Sequence, residues 1–228
     1  MSRMFKTVTK TWNVFSGCRF GCTYCWARGV VLGRLAHFPK YQCGFEPTFH
    51  PSDLAKKFRP REFVAIALLG DISFATADEV GAIAEVIEKF PKTRFLFQSK
   101  DPSVFHRSYF PKWPHVYYGT TLETSLYEGE FSRAPSPIFR AYHLSTLKCQ
   151  HKFVSIEPVM DFRVKALLID LPGLVGWIHP DIVEIGADNY RHALPEPSWF
   201  KVRDLIETLR GFVPKVVEKD GLRRLEHV

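Results

Sequence analysis

Segments typical of β-strands alternate with segments typical of α-helices along this sequence, and that alternation restricts the fold more than any other feature. Residues 63–70, FVAIALLG, are an apolar run of strand length, as expected for a strand buried on both faces of a parallel sheet. Further strands are predicted at residues 9–17, 93–99, 115–123, 152–159 and 181–187, with a shorter one at 214–220. Repeated strand–helix units predict a parallel sheet with helices outside it, as an open barrel or a doubly wound sheet.

The helical segments carry start and stop signals as well as apolar faces. Helices are predicted at residues 26–36, 76–90, 136–148 and 198–211. Thr76 and Glu79 form a capping box ahead of the apolar face of the second helix. Ser198 is a suitable N-cap for the fourth helix, and Gly211 is a suitable end for it.

Length and composition fit a single globular domain. The chain has 228 residues, of which 46% are hydrophobic, and single α/β barrels reach this size. We expect one domain over residues 1–228, with a short flexible tail at 221–228. No apolar run approaches the length of a membrane span, and the first residues lack the apolar core of a signal peptide. We therefore expect a soluble, cytoplasmic protein whose thiols stay reduced.

The net charge of +7 is concentrated in one part of the chain. Residues 1–45 contain seven Lys or Arg and no Asp or Glu, whereas the other 24 basic residues are balanced by 24 acidic ones. Such a segment is either a solvated basic surface or a surface that meets an anion, such as a cofactor, a phosphate or a nucleic acid.

Polar residues collect where the predicted strands end. In parallel α/β folds the functional site lies at the carboxyl ends of the strands. The residues at these ends are 18–25, 70–73, Ser99, Lys100, Thr120, Thr121, Glu123, Glu157, Asp188 and Asn189. One such residue alone would be a cap or turn residue, but their convergence from six strand ends predicts a site.

Three of the five cysteines lie within eight residues. Cys18, Cys22 and Cys25 form a C-x3-C-x2-C pattern, and Tyr24 directly precedes the last of them. Three clustered thiolates can hold zinc or an iron–sulfur cluster. Structural zinc needs a fourth ligand, which Cys43 or a nearby histidine could supply, but the chain has no second C-x2-C pair. Three thiolates on a four-iron cluster leave one iron open.

The cysteine motif resembles the signature of the radical SAM superfamily, C-x3-C-x-aromatic-C in the loop after the first strand of a partial barrel. Seven segments, in order, resemble a phage- and prokaryote-associated radical SAM family of unassigned substrate: TWNVFSGCRFGCTYCWA, FEPTFHPSDL, LLGDISFA, FQSKDP, YYGTTLE, KFVSIEPVMDF and VEIGADN. The spore photoproduct lyase branch is a more distant relative. The resemblance covers about residues 10–220 and implies a partial (β/α)6-type open TIM barrel with helices outside the parallel sheet.

By this resemblance, Cys18, Cys22 and Cys25 hold a [4Fe–4S] cluster whose open iron takes the amino and carboxylate groups of S-adenosylmethionine (SAM). Reductive cleavage of SAM would give a 5′-deoxyadenosyl radical that abstracts hydrogen from a substrate, with electrons from a donor such as flavodoxin or ferredoxin. The residues implied around SAM are Tyr24 near the adenine, Gly70 with Asp71 or Ser73 near the amino group, Lys100 at the carboxylate, and Thr121.

The substrate class stays open between two alternatives. The basic segment at residues 1–45 and the distant likeness to a DNA-repair lyase favour a nucleic acid or nucleotide. The carboxylates of Glu123, Glu157 and Asp188 at three later strand ends favour a small metabolite or peptide, because they would repel phosphates and pair with an amine. We favour the nucleic acid, with these three residues as substrate-side catalytic candidates. A non-catalytic zinc- or metal-binding module is the alternative of another class.

Overall fold

The computed structural model describes residues 4–126, 129–162 and 170–227. Its strands are β1 (Lys10–Trp12), β2 (Phe15–Ser16), β3 (Thr48–Phe49), β4 (Phe63–Ile66), β5 (Arg94–Gln98), β6 (Val116–Thr121), β7 (His151–Ile156), β8 (Ile182–Ile185) and β9 (Lys215–Glu218). Its helices are α1 (Trp26–Leu32), α2 (Ala77–Glu88), α3 (Pro137–Thr146), α4 (Leu171–Ile178) and α5 (Trp199–Arg210). From β4 onward a helix separates most neighbouring strands, and a short 3-10 helix, Pro102–His106, separates β5 from β6.

Seven strands form one parallel sheet in the order β1-β4-β5-β6-β7-β8-β9. Every neighbouring pair in this sheet is parallel, so all carboxyl ends lie at the same edge. The sheet curves into a half-barrel with helices around it, which confirms the predicted α/β partial barrel. The shorter strand predicted at residues 214–220 is the last member, β9.

The two faces of the sheet pack against different partners. Val64 and Ile66 in β4 point outward and join the large core that contains Val80 of α2. Phe63 and Ala65 alternate with them and belong to a smaller cluster inside the half-barrel. This alternation follows from the two-residue period of a strand, and it buries β4 on both faces.

The chain before β1 fills the interior of the half-barrel. Phe5 is buried in the inner cluster and meets the ring of Phe153 in β7 edge-to-face, at 5.0 Å between centroids. Glu184 of β8 is fully buried and accepts hydrogen bonds from the backbone N–H groups of Lys6 and Thr7, both at 2.8 Å. The N-terminal segment is therefore attached to the strands at the far side of the sheet.

The structure corrects the first predicted strand. Residues 9–17 do not form one strand, because β1 ends at Trp12 and the chain then turns into β2. The short β2 pairs antiparallel with β3 in a separate two-stranded sheet, with Ser16 opposite Thr48. The apolar run at residues 63–70 is also only partly strand. It leaves the sheet at Ala67, which has a left-handed backbone with φ of 57°.

Two helical assignments also change. The helix predicted at residues 26–36 stops at Leu32, where Gly33 caps it. Helix α4 was not predicted, because Pro172, Gly173 and Gly176 mask its apolar pattern. Its four buried residues, Leu171, Leu174, Val175 and Ile178, pack into the core. The capping box of α2 is present as predicted.

The expected flexible tail packs against the domain over most of its length. Leu222–His227 forms a 3-10 helix, and Leu222 and Leu225 are buried in the core. Across the described part of the chain, none of the helices has both the length and the apolar character needed to cross a membrane.

Candidate active site

One pocket lies where the carboxyl ends of the parallel strands meet the cysteine loop. Its polar lining comes from the segment after each strand: Asp71 after β4, Lys100 after β5, Thr121 at the end of β6, Glu157 after β7, Asp188 after β8 and Lys219 after β9. Cys18, Cys22 and Cys25 line it from the loop. Apolar side chains, including Trp26, Phe45 and Leu68, complete the wall.

Two glycines fix the entry of the cysteine loop. Gly17 has a φ of 86°, and a Cβ built there would lie 2.1 Å from the carbonyl oxygen of Glu46. A Cβ on Gly70 would lie 2.5 Å from the carbonyl oxygen of Gly17. The two glycines form a parallel β-bridge, and the N–H of Asp71 donates to Gly17 O at 3.1 Å. Gly70 therefore lines the pocket because its lack of a side chain lets two backbones touch.

The three loop cysteines are free thiols with hydrogen-bond donors around their sulfur atoms. The N–H of Phe20 donates to Cys18 Sγ, and the N–H of Arg28 donates to Cys25 Sγ, both at 3.4 Å. Cys22 Sγ lies 3.1 Å from Ser132 Oγ. Donors of this kind stabilise negative charge on sulfur, so the loop suits thiolates.

The protonation behaviour of these thiols favours metal ligands over nucleophiles. Burial raises the pKa of Cys18 and of Cys25, so neither is a reactive thiolate by itself at neutral pH. Metal coordination deprotonates such thiols outright. Within the described ranges, no three His, Cys, Asp or Glu side chains are close enough to hold one metal ion. The thiolates on a four-iron cluster each bind a different iron, so such a cluster does not require the three sulfur atoms to converge on one ion.

Asp71 is buried after β4 and is hydrogen-bonded to the segment after β5. Its carboxylate accepts hydrogen bonds from the N–H of Ser73 at 3.0 Å, Ser99 Oγ at 2.6 Å and the N–H of Lys100 at 2.9 Å. Burial raises the pKa of Asp71, and these three donors oppose the rise. Most of its lone pairs are thus used inside the protein, so Asp71 orients the segments around it. Ser73 contributes its backbone N–H here and does not line the pocket.

Lys100 is the pocket end of a buried charge network. Lys100 Nζ pairs with Glu123 Oε1 and lies 2.9 Å from Tyr24 Oη, while Glu123 Oε2 accepts from Arg140 Nη1 at 2.8 Å. Glu123 and Arg140 are fully buried. Burial alone raises the pKa of Glu123, but Arg140 and Lys100 lower it to about 2. Lys100 and Arg140 thus both pair with the Glu123 carboxylate, and Lys100 is the member of this network that lines the pocket.

Gln98 joins Thr121 at the end of the neighbouring strands. Gln98 Nε2 donates to Thr121 Oγ1 at 2.9 Å, and both residues line the pocket. Gln98 Oε1 is buried and has no hydrogen-bond partner within the part of the chain that the structure describes. An unsatisfied buried acceptor costs free energy, and a ligand that brings an N–H or O–H group to it would remove that cost.

Glu157 faces the pocket from the end of β7. Its carboxylate pairs with Lys219 Nζ, which also donates to the carbonyl of Met4. Burial raises the pKa of Glu157, and Lys219 partly opposes that rise. A Cβ on Gly186 would lie 2.5 Å from Glu157 Oε1, so this glycine leaves the room that the carboxylate occupies.

Asp188 is nearly buried at the end of β8, where its carboxylate meets a histidine. It accepts hydrogen bonds from the backbone N–H of Tyr190 at 3.1 Å and of His192 at 2.5 Å. Its Oδ1 also lies 2.6 Å from His192 Nδ1. His192 lines the same pocket.

Of the residues predicted to bind the cluster, SAM or the substrate, all but two line this pocket. Glu123 lies behind the pocket wall in its ion pairs, and Ser73 lies outside the lining. Sequence reasoning missed Gln98, His192 and Lys219. Gln98 directly precedes the Ser99 and Lys100 that the sequence did select, and Lys219 directly follows β9, whereas His192 lies several residues beyond the end of β8.

The basic segment is partly neutralised by acidic residues from later in the chain. Its ion pairs are Lys6–Asp220, Lys10–Glu62, Arg19–Glu46 and Lys40–Asp53. Arg28, three residues after Cys25, is exposed on α1. The positive surface is therefore smaller than the composition of residues 1–45 indicates.

A scan of protein-family models finds no match to the chain, and a search of curated proteins also finds none. Solved structures of spore photoproduct lyase are similar in fold. A complex with dinucleoside spore photoproduct has a TM-score of 0.57 at 10% identity, covering 91% of this chain and 75% of the lyase chain. A variant with bound AdoMet and dinucleoside spore photoproduct has a TM-score of 0.57 at 11% identity, covering 95% and 78%. Another variant has a TM-score of 0.58 at 12% identity, also covering 95% and 78%. At these identities the similarity defines the fold alone.

Proposed function

We propose that this protein is a radical SAM enzyme. The observation that carries the proposal is the position of Cys18, Cys22 and Cys25, three free thiols that line one pocket at the carboxyl edge of a parallel half-barrel. When bound, a [4Fe–4S] cluster with SAM supplies one-electron reduction of the sulfonium and a 5′-deoxyadenosyl radical. The protein supplies the three ligands, orientation and a water-poor site.

The chain's own residues suit the methionine end of SAM. Lys100 presents its ammonium group to the pocket, where it would pair with a carboxylate. The unsatisfied Oε1 of Gln98 would accept a hydrogen bond from the amino group. Asp71 would act indirectly, because it fixes the backbone of Lys100. Tyr24 lines the pocket beside Lys100 and would lie near the adenine.

We propose a nucleic acid or nucleotide as the substrate. Two observations support this choice: the solved neighbours of similar fold bind a dinucleoside spore photoproduct, and the net charge of +7 favours polyanions. Arg28 stays exposed beside the cysteine loop, where it could contact a phosphate.

A small amine or peptide is the second candidate, because carboxylates face the pocket. Glu157 and Asp188 line the pocket at the ends of β7 and β8. Their charge disfavours a phosphate deep in the pocket but could hold an ammonium group. In the nucleotide proposal these carboxylates would instead face a base edge, with the phosphates at the rim.

Anaerobic reconstitution tests the proposal. The protein incubated with iron and sulfide should become brown and bleach with dithionite, and the reduced protein should convert SAM to 5′-deoxyadenosine. A short DNA duplex should accelerate that conversion, and a panel of small amines serves as the comparison. Stoichiometric zinc without iron would instead favour a non-catalytic zinc module.

A further inference from the structure

The turn after β8 holds a histidine–carboxylate pair inside the pocket. His192 Nδ1 lies 2.6 Å from Asp188 Oδ1, and Asp188 is 5% exposed. A carboxylate only accepts hydrogen bonds, so a neutral imidazole in this position carries its proton on Nδ1. His192 Nε2 is then the unprotonated nitrogen, with a lone pair available to a ligand.

Nε2 is the atom of this pair that stays open. No hydrogen bond to it forms among residues 4–126, 129–162 and 170–227, and 23% of the His192 side chain is exposed. The backbone on both sides is left-handed, with φ of 60° at Arg191 and 55° at Ala193. Non-glycine residues adopt this conformation at a cost of about 1 kcal/mol or more, and the turn adopts it twice to place one imidazole.

Asp188 is itself held from behind. Its backbone N–H donates to Glu196 Oε1 at 3.1 Å, and its carbonyl accepts from Arg224 Nη2 at 2.7 Å. Arg224 and Glu196 also pair with each other, so the charge that His192 meets is that of Asp188. The carboxylate, rather than the mobile end of a surface side chain, sets the orientation of the imidazole.

A second histidine–carboxylate pair, His151 with Asp181, has a structural role and serves for comparison. His151 Nδ1 lies 3.2 Å from Asp181 Oδ1 at the amino end of β7, the opposite end of the sheet from the pocket. His151 stacks on Tyr117 at 4.4 Å between ring centroids, and Asp181 also accepts from the N–H of Lys152. This pair joins secondary-structure elements, faces no pocket residue and is a matched internal control.

We propose that His192 is a proton-transfer residue of the pocket, positioned by Asp188, that acts on an O–H or N–H group of the bound substrate. In this step the O–H or N–H bond breaks, its electron pair stays on the substrate atom, and the proton moves to Nε2. No atom changes oxidation state, and the reverse transfer returns the proton. Asp188 stabilises the imidazolium that forms. The inference rests on the proposed function only in taking this pocket as the substrate site.

The first test measures the position of the proton without any cofactor. Two-dimensional 15N–1H NMR of the full chain distinguishes the two imidazole tautomers, and His192→Gln assigns the signal. We expect His192 with its proton on Nδ1, and an Asp188→Asn variant with a larger fraction protonated on Nε2. Asp181→Asn should leave the His192 signal unchanged, and the retained signal of His151 reports that Asp188→Asn is folded. Wild-type His192 protonated on Nε2, or a tautomer insensitive to Asp188→Asn, would overturn the proposal.

The second test uses reconstituted enzyme with a short DNA duplex as the probe substrate. We expect His192→Gln to lower product formation by about 100-fold or more, the usual contribution of a general acid–base group. His151→Gln should match the wild type. A His192→Gln enzyme that turns over DNA at the wild-type rate would refute the role. If the wild type itself makes no product from DNA, the proposed substrate fails, and the tautomer measurement still decides on His192.

Discussion

At the scale of single residues, the loop cysteines and the two cysteines outside the loop differ in their surroundings. Cys22 faces the pocket with its two loop partners, whereas Cys149 accompanies the outer core and Cys43 is exposed outside the pocket lining. Burial raises the pKa of Cys149 as well, so burial does not distinguish the two groups. Position relative to the pocket does.

Cys22→Ala should abolish the cluster and leave the fold intact. The side chain is only partly buried and packs beside a small cluster of Tyr24, Met160 and Leu194, outside the large core, so its loss removes a ligand without emptying that core. Iron and sulfide analysis after reconstitution, with circular dichroism for folding, measures this. Cys149→Ala is the matched control and should bind as much iron as the wild type. Full iron content in Cys22→Ala would contradict the assignment.

Glu123 is the second residue for which the structure leads to a quantitative prediction, through its lowered pKa. It is ionised between two buried cations, and its pKa of about 2 lies below the value of about 4.3 expected in an unfolded chain. A depressed pKa contributes stability that is fully present above the unfolded value and is lost as pH falls toward the folded value. Removal of this charge also takes away the carboxylate with which Lys100 and Arg140 both pair.

Glu123→Gln should therefore lower the free energy of unfolding by about 3–5 kcal/mol near pH 7, the usual effect of breaking a buried ion pair. The difference between wild type and variant should shrink as the pH falls from about 4.3 to about 2. Urea denaturation across this pH range measures it. Glu46→Gln, which breaks the exposed pair with Arg19, is the control and should change little. A difference that is independent of pH would mean that Glu123 is not ionised in the folded protein.

At the scale of elements, the cysteine loop depends on one backbone contact. Gly17 and Gly70 join the end of β2 to the segment after β4, at a distance that excludes any side chain on Gly70. The loop is thereby attached to the parallel sheet through backbone atoms. This attachment fixes the position of the three thiols relative to the sheet.

Gly70→Ala should displace the cysteine loop. The new methyl group would lie 2.5 to 2.7 Å from backbone atoms of Gly17 and Ser16, which cannot move as a flexible side chain does. We expect a loss of thermal stability together with a lower iron content after reconstitution. Gly81→Ala in α2 is the control, because a Cβ there meets nothing within 4 Å. That change should stabilise the protein by about 0.5–1 kcal/mol. A Gly70→Ala protein as stable and as rich in iron as the wild type would show that the contact is not required.

At the scale of the whole molecule, the chain has a positive net charge, whereas several carboxyl groups line the pocket. The chain carries +7, but within the described part of the chain the pocket is lined by Asp71, Glu157, Asp188 and Asp220 and by two lysines, Lys100 and Lys219. A nucleic acid would thus be held by its phosphates at the rim and present a base to the interior. An amine would be held inside.

Binding of short DNA should weaken steeply with salt. Each neutralised phosphate contributes about −0.9 to the slope of log K against log salt concentration, so the slope counts the contacts. Arg28→Ala should lower the magnitude of the slope by about 1, because the side chain is exposed beside the cysteine loop. Lys148→Ala, an exposed charge just before β7 at the opposite end of the strands, should leave the slope unchanged. Fluorescence anisotropy across a salt series measures both. No binding at low salt would end the nucleic-acid proposal.

The sequence by itself determined that the sheet is parallel and at which strand ends the pocket lies, while the choice of a partial barrel over a doubly wound sheet came from the family resemblance. The run at residues 63–70 and the capping box of Thr76 and Glu79 are local signals, since each depends on residues that are close along the chain. The C-x3-C-x2-C motif is local as well. Once strands are parallel, the residues at their ends must share an edge, so Lys100, Glu157 and Asp188 could be placed together without coordinates.

Only the tertiary structure decided which of these groups face the pocket and with what partners. Glu123 and Glu157 both follow strands, yet Arg140 of α3 draws the first behind the wall and Lys219 holds the second at the surface of the pocket. The first predicted strand is divided because its second part, β2, pairs with β3, which lies far along the chain. Helix α4 forms despite its Pro and Gly residues because its apolar face is buried in the core. The position of His192 in the pocket depends on the left-handed backbone of its two neighbours, which no local sequence pattern predicts. Ion pairs, burial and backbone strain involve residues far apart in the chain, so local spacing does not specify them.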